Sequence, residues 1–185
     1  MRSLPLLAFA LAACATPDAS APEVWDGQAD PAPPPGWVEV HVGAVGPGGL
    51  ARVTTTGVTG DEEVHVVLST RPDGPVVCPG MLGGDCLDIA GPVIRLGEAR
   101  DRGEDYASLA FPVPVGAPEG RTVWFQVLID SEEDGWYLGP VVEATVGWMA
   151  CVDVWDPVCG IDGETYSNEC DASTAGWPLA YDGPC

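Results

Sequence analysis

The chain has 185 residues, a formal net charge of −21 and a sequence pI near 4.1. So acidic a surface repels phosphate backbones and anionic headgroups, which excludes nucleic acid as a partner and membrane binding through basic patches. Acidity of this order leaves apolar-poor chains disordered, but 46% hydrophobic residues and seven tryptophans allow one ordinary folded domain plus a small module.

Met1-Arg2-Ser3 is a short basic start, and an apolar run follows from Leu4 to Ala13. The run is too short to cross a bilayer, which takes about 20 residues, and its pattern over 1–13 is that of an export signal. It leads into Leu11-Ala12-Ala13-Cys14, which resembles the lipobox of bacterial lipoproteins. The resemblance implies that cleavage leaves Cys14 as a lipid-modified first residue, anchoring the protein to a membrane of the cell envelope. Each buried methylene of such an anchor contributes about 0.8 kcal/mol. Ala15 and Thr16 follow, and the absence of Asp there favours the outer over the inner membrane. Plain secretion is the alternative. The cysteine count bears on the choice: seven is odd, and lipidation of Cys14 leaves six to pair. Residues 14–36, rich in Pro and Ala and ending in PAPPPG, read as an extended tether.

From 37 to 148 the recurring signal is alternation, the period of a strand. Val38, Val40 and Val42 form one set, and Val64, Val66 and Leu68 another, apolar enough with Val67 to be buried on both faces. Leu109, Phe111, Val113 and Val115 form a third, whose prolines 112 and 114 suit an edge strand. Val123, Phe125, Val127 and Ile129 form a fourth, and Val142, Ala144 and Val146 a fifth. Turn signals stand between them: GPGG at 46–49, Gly60-Asp61, Pro72-Asp73-Gly74, Glu119-Gly120 and Asp134-Gly135. The expectation is a mainly β protein whose middle domain is an antiparallel β-sandwich. In pattern it resembles immunoglobulin-like or fibronectin-like extracellular domains.

Cys78 and Cys86 enclose CPGMLGGDC, whose glycines let a tight loop close, and a structural disulfide Cys78–Cys86 is expected. His41 and His65 lie in predicted strands without a metalloprotease or nucleophile motif, and read as structural or surface residues. The acidic run Asp130-Ser131-Glu132-Glu133-Asp134-Gly135 lacks the alternating ligand spacing of a calcium loop and reads as a solvated hairpin turn. No enzyme, metal site or cofactor is read from the chain.

Cys151 to Cys185 holds four cysteines spaced C-x7-C-x10-C-x14-C. So short a segment needs covalent cross-links to fold, and four cysteines allow three pairings. Within it, PVCGIDGETYSNEC from Pro157 to Cys170 resembles the Kazal-type serine protease inhibitor family through Pro157-Val158-Cys159-Gly160, Asp162-Gly163, Thr165-Tyr166, Asn168 and Cys170. The resemblance covers 149–185 and implies a small disulfide-rich α+β module. Members carry six cysteines; the two missing here are bonded to each other in the family, and one would fall near Ser173. The pairs Cys151–Cys170 and Cys159–Cys185 follow from the resemblance. A helix is expected over Asn168 to Ala175, capped by Ser167 or Asn168 and ended by Gly176, with a turn at Asp162-Gly163 joining two strands.

The resemblance also implies a protease-binding loop of Cys151, Val152, Asp153, Val154, Trp155 and Asp156, with Asp153 as the specificity residue and Asp153-Val154 as the reactive bond. Asn168, the chain's sole asparagine, occupies the position that braces this loop. The implied partner is a serine protease, one that accepts acidic residues, because an unpaired carboxylate is costly in an apolar pocket. The alternative is a non-inhibitory adhesion or scaffold lipoprotein whose module is structural.

Overall fold

The computed structural model describes residues 38–59, 62–100, 105–132 and 134–185. The export signal, Cys14, the tether, Trp37, the Gly60-Asp61 turn and Glu133 lie outside the described residues. Seven strands come first: β1 (Glu39–Val42), β2 (Leu50–Thr56), β3 (Glu63–Ser69), β4 (Val93–Arg100), β5 (Tyr106–Pro112), β6 (Thr122–Ser131) and β7 (Gly135–Thr145). They form two antiparallel sheets, ordered β1-β2-β5 and β4-β3-β6-β7. After them come β8 (Val158–Gly160), β9 (Thr165–Tyr166), helix α1 (Glu169–Ala175) and β10 (Leu179–Asp182), with a small antiparallel sheet ordered β10-β8-β9. The mainly β expectation holds.

One core joins the two larger sheets. Ala51 and Val53 of β2 with Ala107 and Phe111 of β5 meet Val64 and Val66 of β3 with Val123, Phe125, Val127 and Ile129 of β6. Phe111 and Phe125 meet with ring centroids 5.9 Å apart. Burying each such ring contributes on the order of 1.5–3 kcal/mol, enough to hold one sheet over the other.

The run at 64–68 is covered on both faces, as its composition implies. Val64 and Val66 enter the shared core, while Val67 packs against a second cluster of Leu82, Leu87, Ile89 and Leu128. That cluster lies under the segment closed by the Cys78–Cys86 disulfide. Fully buried Gln126 fastens the segment down: its Oε1 accepts from Asp88 N at 2.9 Å, and its Nε2 donates to Asp88 Oδ2 at 2.8 Å and Gly139 O at 3.2 Å.

Two readings need correction. Val115, expected to be the last inward residue of its set, is 88% exposed. The strand stops at Pro112, and Val113 stays buried because its N–H and C=O pair with Gly49 and Gly48 rather than with a continuing ladder. Strands β2 and β4 were not expected. The inward face of β2 is Ala51, Val53 and Thr55, too small and polar to mark an alternation, and β4 is an edge strand that carries Arg95, Glu98 and Arg100 and a bulge opposite Val66/Val67.

Candidate functional site

The 151–185 segment is assembled around two disulfides, Cys151–Cys170 and Cys159–Cys185. Strands β8 and β9 are joined through Asp162-Gly163, where Gly163 takes φ 78° and donates to Gly160 O at 3.0 Å. Asp162 organises the turn from both carboxylate oxygens. Oδ1 accepts from Glu164 N at 3.2 Å and Oδ2 from the Tyr166 hydroxyl at 2.8 Å. Burial, then the bond to Asp162, push the Tyr166 phenol well above its ordinary range.

Helix α1 begins at Asn168, whose Oδ1 accepts from Asp171 N at 3.0 Å, and closes at Gly176 in the left-handed conformation (φ 80°). The same Asn168 side chain faces the preceding loop. Its Nδ2 donates to Val152 O at 3.3 Å and Val154 O at 3.1 Å, with Asp171 Oδ2 at 3.4 Å. The amide therefore caps the helix with its oxygen and holds the loop with its nitrogen.

Between Cys151 and Pro157 the chain is irregular and outward-facing. Val152, Asp153, Val154, Trp155 and Asp156 are all exposed, with Val152 at 72% and Trp155 at 73%. Val154 N donates to Val152 O at 2.9 Å, an i to i+2 bond that puts Asp153 at the apex of a tight turn. The loop is tied at each end. Cys151 is bonded to α1 through Cys170, Asp156 N donates to Ser167 O at 2.8 Å, and Pro157 O accepts from Gly183 N at 2.8 Å. The exposed side chains thus sit on a backbone with fixed carbonyls, a shape suited to lying in another protein's cleft.

Elsewhere, a group of titratable side chains gathers on one sheet. Glu63, His65 and Glu98 place ligand atoms within 4.8 Å of one another on the outer face of β3 and β4. The two carboxylates approach opposite nitrogens of the His65 ring, at 3.4 Å and 3.7 Å. Arg100 pairs with Glu63 and Arg95 with Glu98, while the His65 ring lies 4.8 Å from that of Trp136. This is a cross-strand ion-pair network. His41 is on β1 with Nε2 3.6 Å from Glu39 Oε2. The acidic run is the hairpin between Ser131 and Gly135, where Asp134 N donates to Ser131 Oγ at 3.4 Å.

Residues 140–175 match the model of the family described as Kazal-type serine protease inhibitor domain. The chain is also similar to Protease inhibitor 2 of Cenchritis muricatus, with 58% identity over 31 residues, 17% of this chain and 62% of the relative. The chain thus spans somewhat under two thirds of that relative's length. A Kazal-type domain stands at the C-terminal end of the sequence, and the matched span starts inside β7.

Proposed function

We propose that the protein is an envelope-anchored inhibitor in which residues 151–156 bind a serine protease in the manner of a substrate. One observation carries the reading: Asn168 holds the carbonyls on both sides of exposed Asp153. A loop ordered before it docks loses little entropy on binding, so its contacts go into affinity. In this reading Asp153 enters the specificity pocket of the protease and Asp153-Val154 lies at its scissile position.

The Asp153 carboxylate selects the target. An apolar pocket would have to strip it of water without pairing it, at a cost of several kcal/mol. A pocket with basic side chains pairs it instead. The domain agrees in sign, with seven Asp or Glu and no Arg or Lys between Cys151 and Cys185, which matches a basic partner face. The proposed target is a serine protease that cleaves after acidic residues.

In this reading the 37–148 domain is an immunoglobulin-like or fibronectin-like spacer, supported by its seven strands split into β1-β2-β5 and β4-β3-β6-β7. Cys14 carries the lipid and 14–36 is the tether, with the outer membrane as the location. Mass spectrometry of the mature N-terminus tests the anchor; a free thiol at Cys14 removes it.

Inhibition is tested with the full chain and its Asp153→Leu variant against a panel of serine proteases that includes Asp/Glu-preferring members. The expected result is reversible inhibition of the acid-preferring enzymes by the parent and a switch towards chymotrypsin-like and subtilisin-like enzymes for the variant. Asp153 also favours a second reading, a non-inhibitory adhesion or scaffold protein. That reading prevails if neither form inhibits any member of the panel.

A further inference from the structure

The Kazal-type domain is seated on the sandwich through a short segment at the end of α1. Ala44 N donates to Thr174 O at 2.9 Å, and the Thr54 hydroxyl donates to Gly176 O at 2.8 Å in a buried bond. The two backbones meet where side chains are missing. A Cβ on Gly43 would lie 2.8 Å from Gly176 N and 2.9 Å from Thr174 O, and one on Gly176 would lie 2.9 Å from Arg52 Cβ. Trp177 then rests on β2 and β5. The Arg52 guanidinium lies 4.4 Å from its ring centroid, and Tyr106 meets it edge-on at 5.6 Å. Arg52 is itself oriented by a bond from Nη1 to Ser108 Oγ at 2.9 Å.

These contacts sit at the opposite end of α1 from Asn168, and α1 has only seven residues. Cys170 in the helix carries the disulfide to Cys151 at the start of the loop, and Cys151 Sγ lies 3.4 Å from Thr174 Oγ1. About two turns of helix therefore connect the sandwich seat to Asn168, whose Nδ2 holds the loop. We infer that Gly43, Thr54 and the Arg52–Trp177 stack are positioning residues for the 151–156 loop: the sandwich fixes α1, and α1 fixes the loop. The inference rests on the inhibitory reading for its functional meaning, but its mechanical content stands apart from any protease. A domain with two cross-links of its own gains its remaining rigidity from a neighbour in the same chain.

The test uses the full chain with Thr54→Val, which removes the hydroxyl at nearly constant volume, Thr54→Ser, which restores it, and Gly43→Ala, which forces the two backbones apart. Amide hydrogen exchange is followed without protease at Val154 and Asp156, whose N–H groups bond Val152 O and Ser167 O, and at Val66 in the sandwich as a reference. Loss of the buried bond to Gly176 O, together with the 3.2 Å bond between Thr54 Oγ1 and Ser108 Oγ, should speed exchange at the two loop amides about five- to tenfold in Thr54→Val, with Gly43→Ala at least as large and Thr54→Ser close to the parent. Unchanged loop exchange in folded Thr54→Val overturns the inference, and so does equal acceleration at Val66, which would mark global loosening. If Gly43→Ala does not fold, the Thr54 pair decides. Failure to inhibit any protease would sink the inhibitory reading and leave the exchange result intact.

Discussion

Asn168 Nδ2 donates to Val154 O at 3.1 Å while its Oδ1, on the same amide, accepts from Asp171 N at 3.0 Å. The helix cap and the loop brace are thus two ends of one side chain, and substitutions can separate them. Asn168→Asp keeps the capping acceptor and loses the donor, and sets a second carboxylate beside Asp171. Asn168→Ala loses both. The alanine variant should lose about 1 kcal/mol from the cap and about as much again for each loop bond left unmade. The aspartate variant should keep most of the helical stability yet weaken protease binding at least tenfold. Urea denaturation and inhibition constants on the two variants distinguish the roles, and equal inhibition by both variants and the parent would remove the brace.

Much of the C-terminal domain is legible in the sequence because its constraints are local. Gly163 must take positive φ at a turn, Gly176 must end a helix, and a lone asparagine precedes Glu169-Cys170 at a capping position. The β sets with large inward residues are legible for a similar reason, since Val, Phe and Ile at period two leave little choice. What escapes is set by distance. Gly43, Arg52 and Thr54 are far in the chain from Tyr106 and Trp177, and none belongs to a periodic set that marks it out. The sequence places a domain boundary between the sandwich and the cysteine module, and the missing cysteine near Ser173 gives no sign that backbone contacts from another domain arrive one residue later, at Thr174. Strand β2 is hidden for the same cause, because its buried Thr54 is held by a long-range hydrogen bond to Gly176 O.

The two disulfides of the domain close loops with sequence separations of 19 and 26 residues. In the chain-entropy model each restricts the unfolded chain by about 3–3.5 kcal/mol. Their consequences should differ. Cys159→Ala/Cys185→Ala should lower the stability of the domain by about that amount, with the loop still tied to α1. Cys151→Ala/Cys170→Ala should lower it comparably and also untie the loop's first residue, so that the variant is cleaved at 153–154 by the protease the parent inhibits. Mass spectrometry after incubation with that protease checks the difference.

Gln126 is fully buried and bonds Asp88 N, Asp88 Oδ2 and Gly139 O. Replacing it by leucine keeps the volume but takes the side-chain partner from exposed Asp88 and the side-chain donor from buried Gly139 O. The expected cost is about 1–3 kcal/mol, together with faster exchange at Leu87, whose N–H bonds Val77 O in the segment closed by Cys78–Cys86. Among the described residues, the loop at 151–156 is held by Asn168, Ser167 and Cys170 and not through Gln126 or Asp88, so inhibition should be unchanged. A parallel loss of inhibition would mean that the two faces are coupled.

Alkaline pH should destabilise the fold through two tyrosines. The Tyr137 hydroxyl donates to Glu62 Oε1 at 2.9 Å, and burial, then that bond, then the Glu62 charge raise its pKa; Tyr166 is raised by burial and by its bond to Asp162. A group whose folded pKa lies above its unfolded value contributes stability that is fully present below the unfolded pKa, about 10 for tyrosine, and is lost as pH rises towards the folded value. In the folded state both phenols keep their protons where the unfolded chain gives them up. Unfolding midpoints in urea should therefore be level from about pH 7 to 9 and fall beyond about pH 10. Tyr137→Phe should be less stable than the parent at neutral pH, because buried Glu62 loses the Tyr137 donor while keeping the bond from Thr59 N. Its midpoint should fall less steeply above pH 10, since one of the two ionisations that favour the unfolded chain is gone. Tyr137→Phe/Tyr166→Phe should be flatter still, and a slope unchanged in the double variant would place the alkaline sensitivity on other groups.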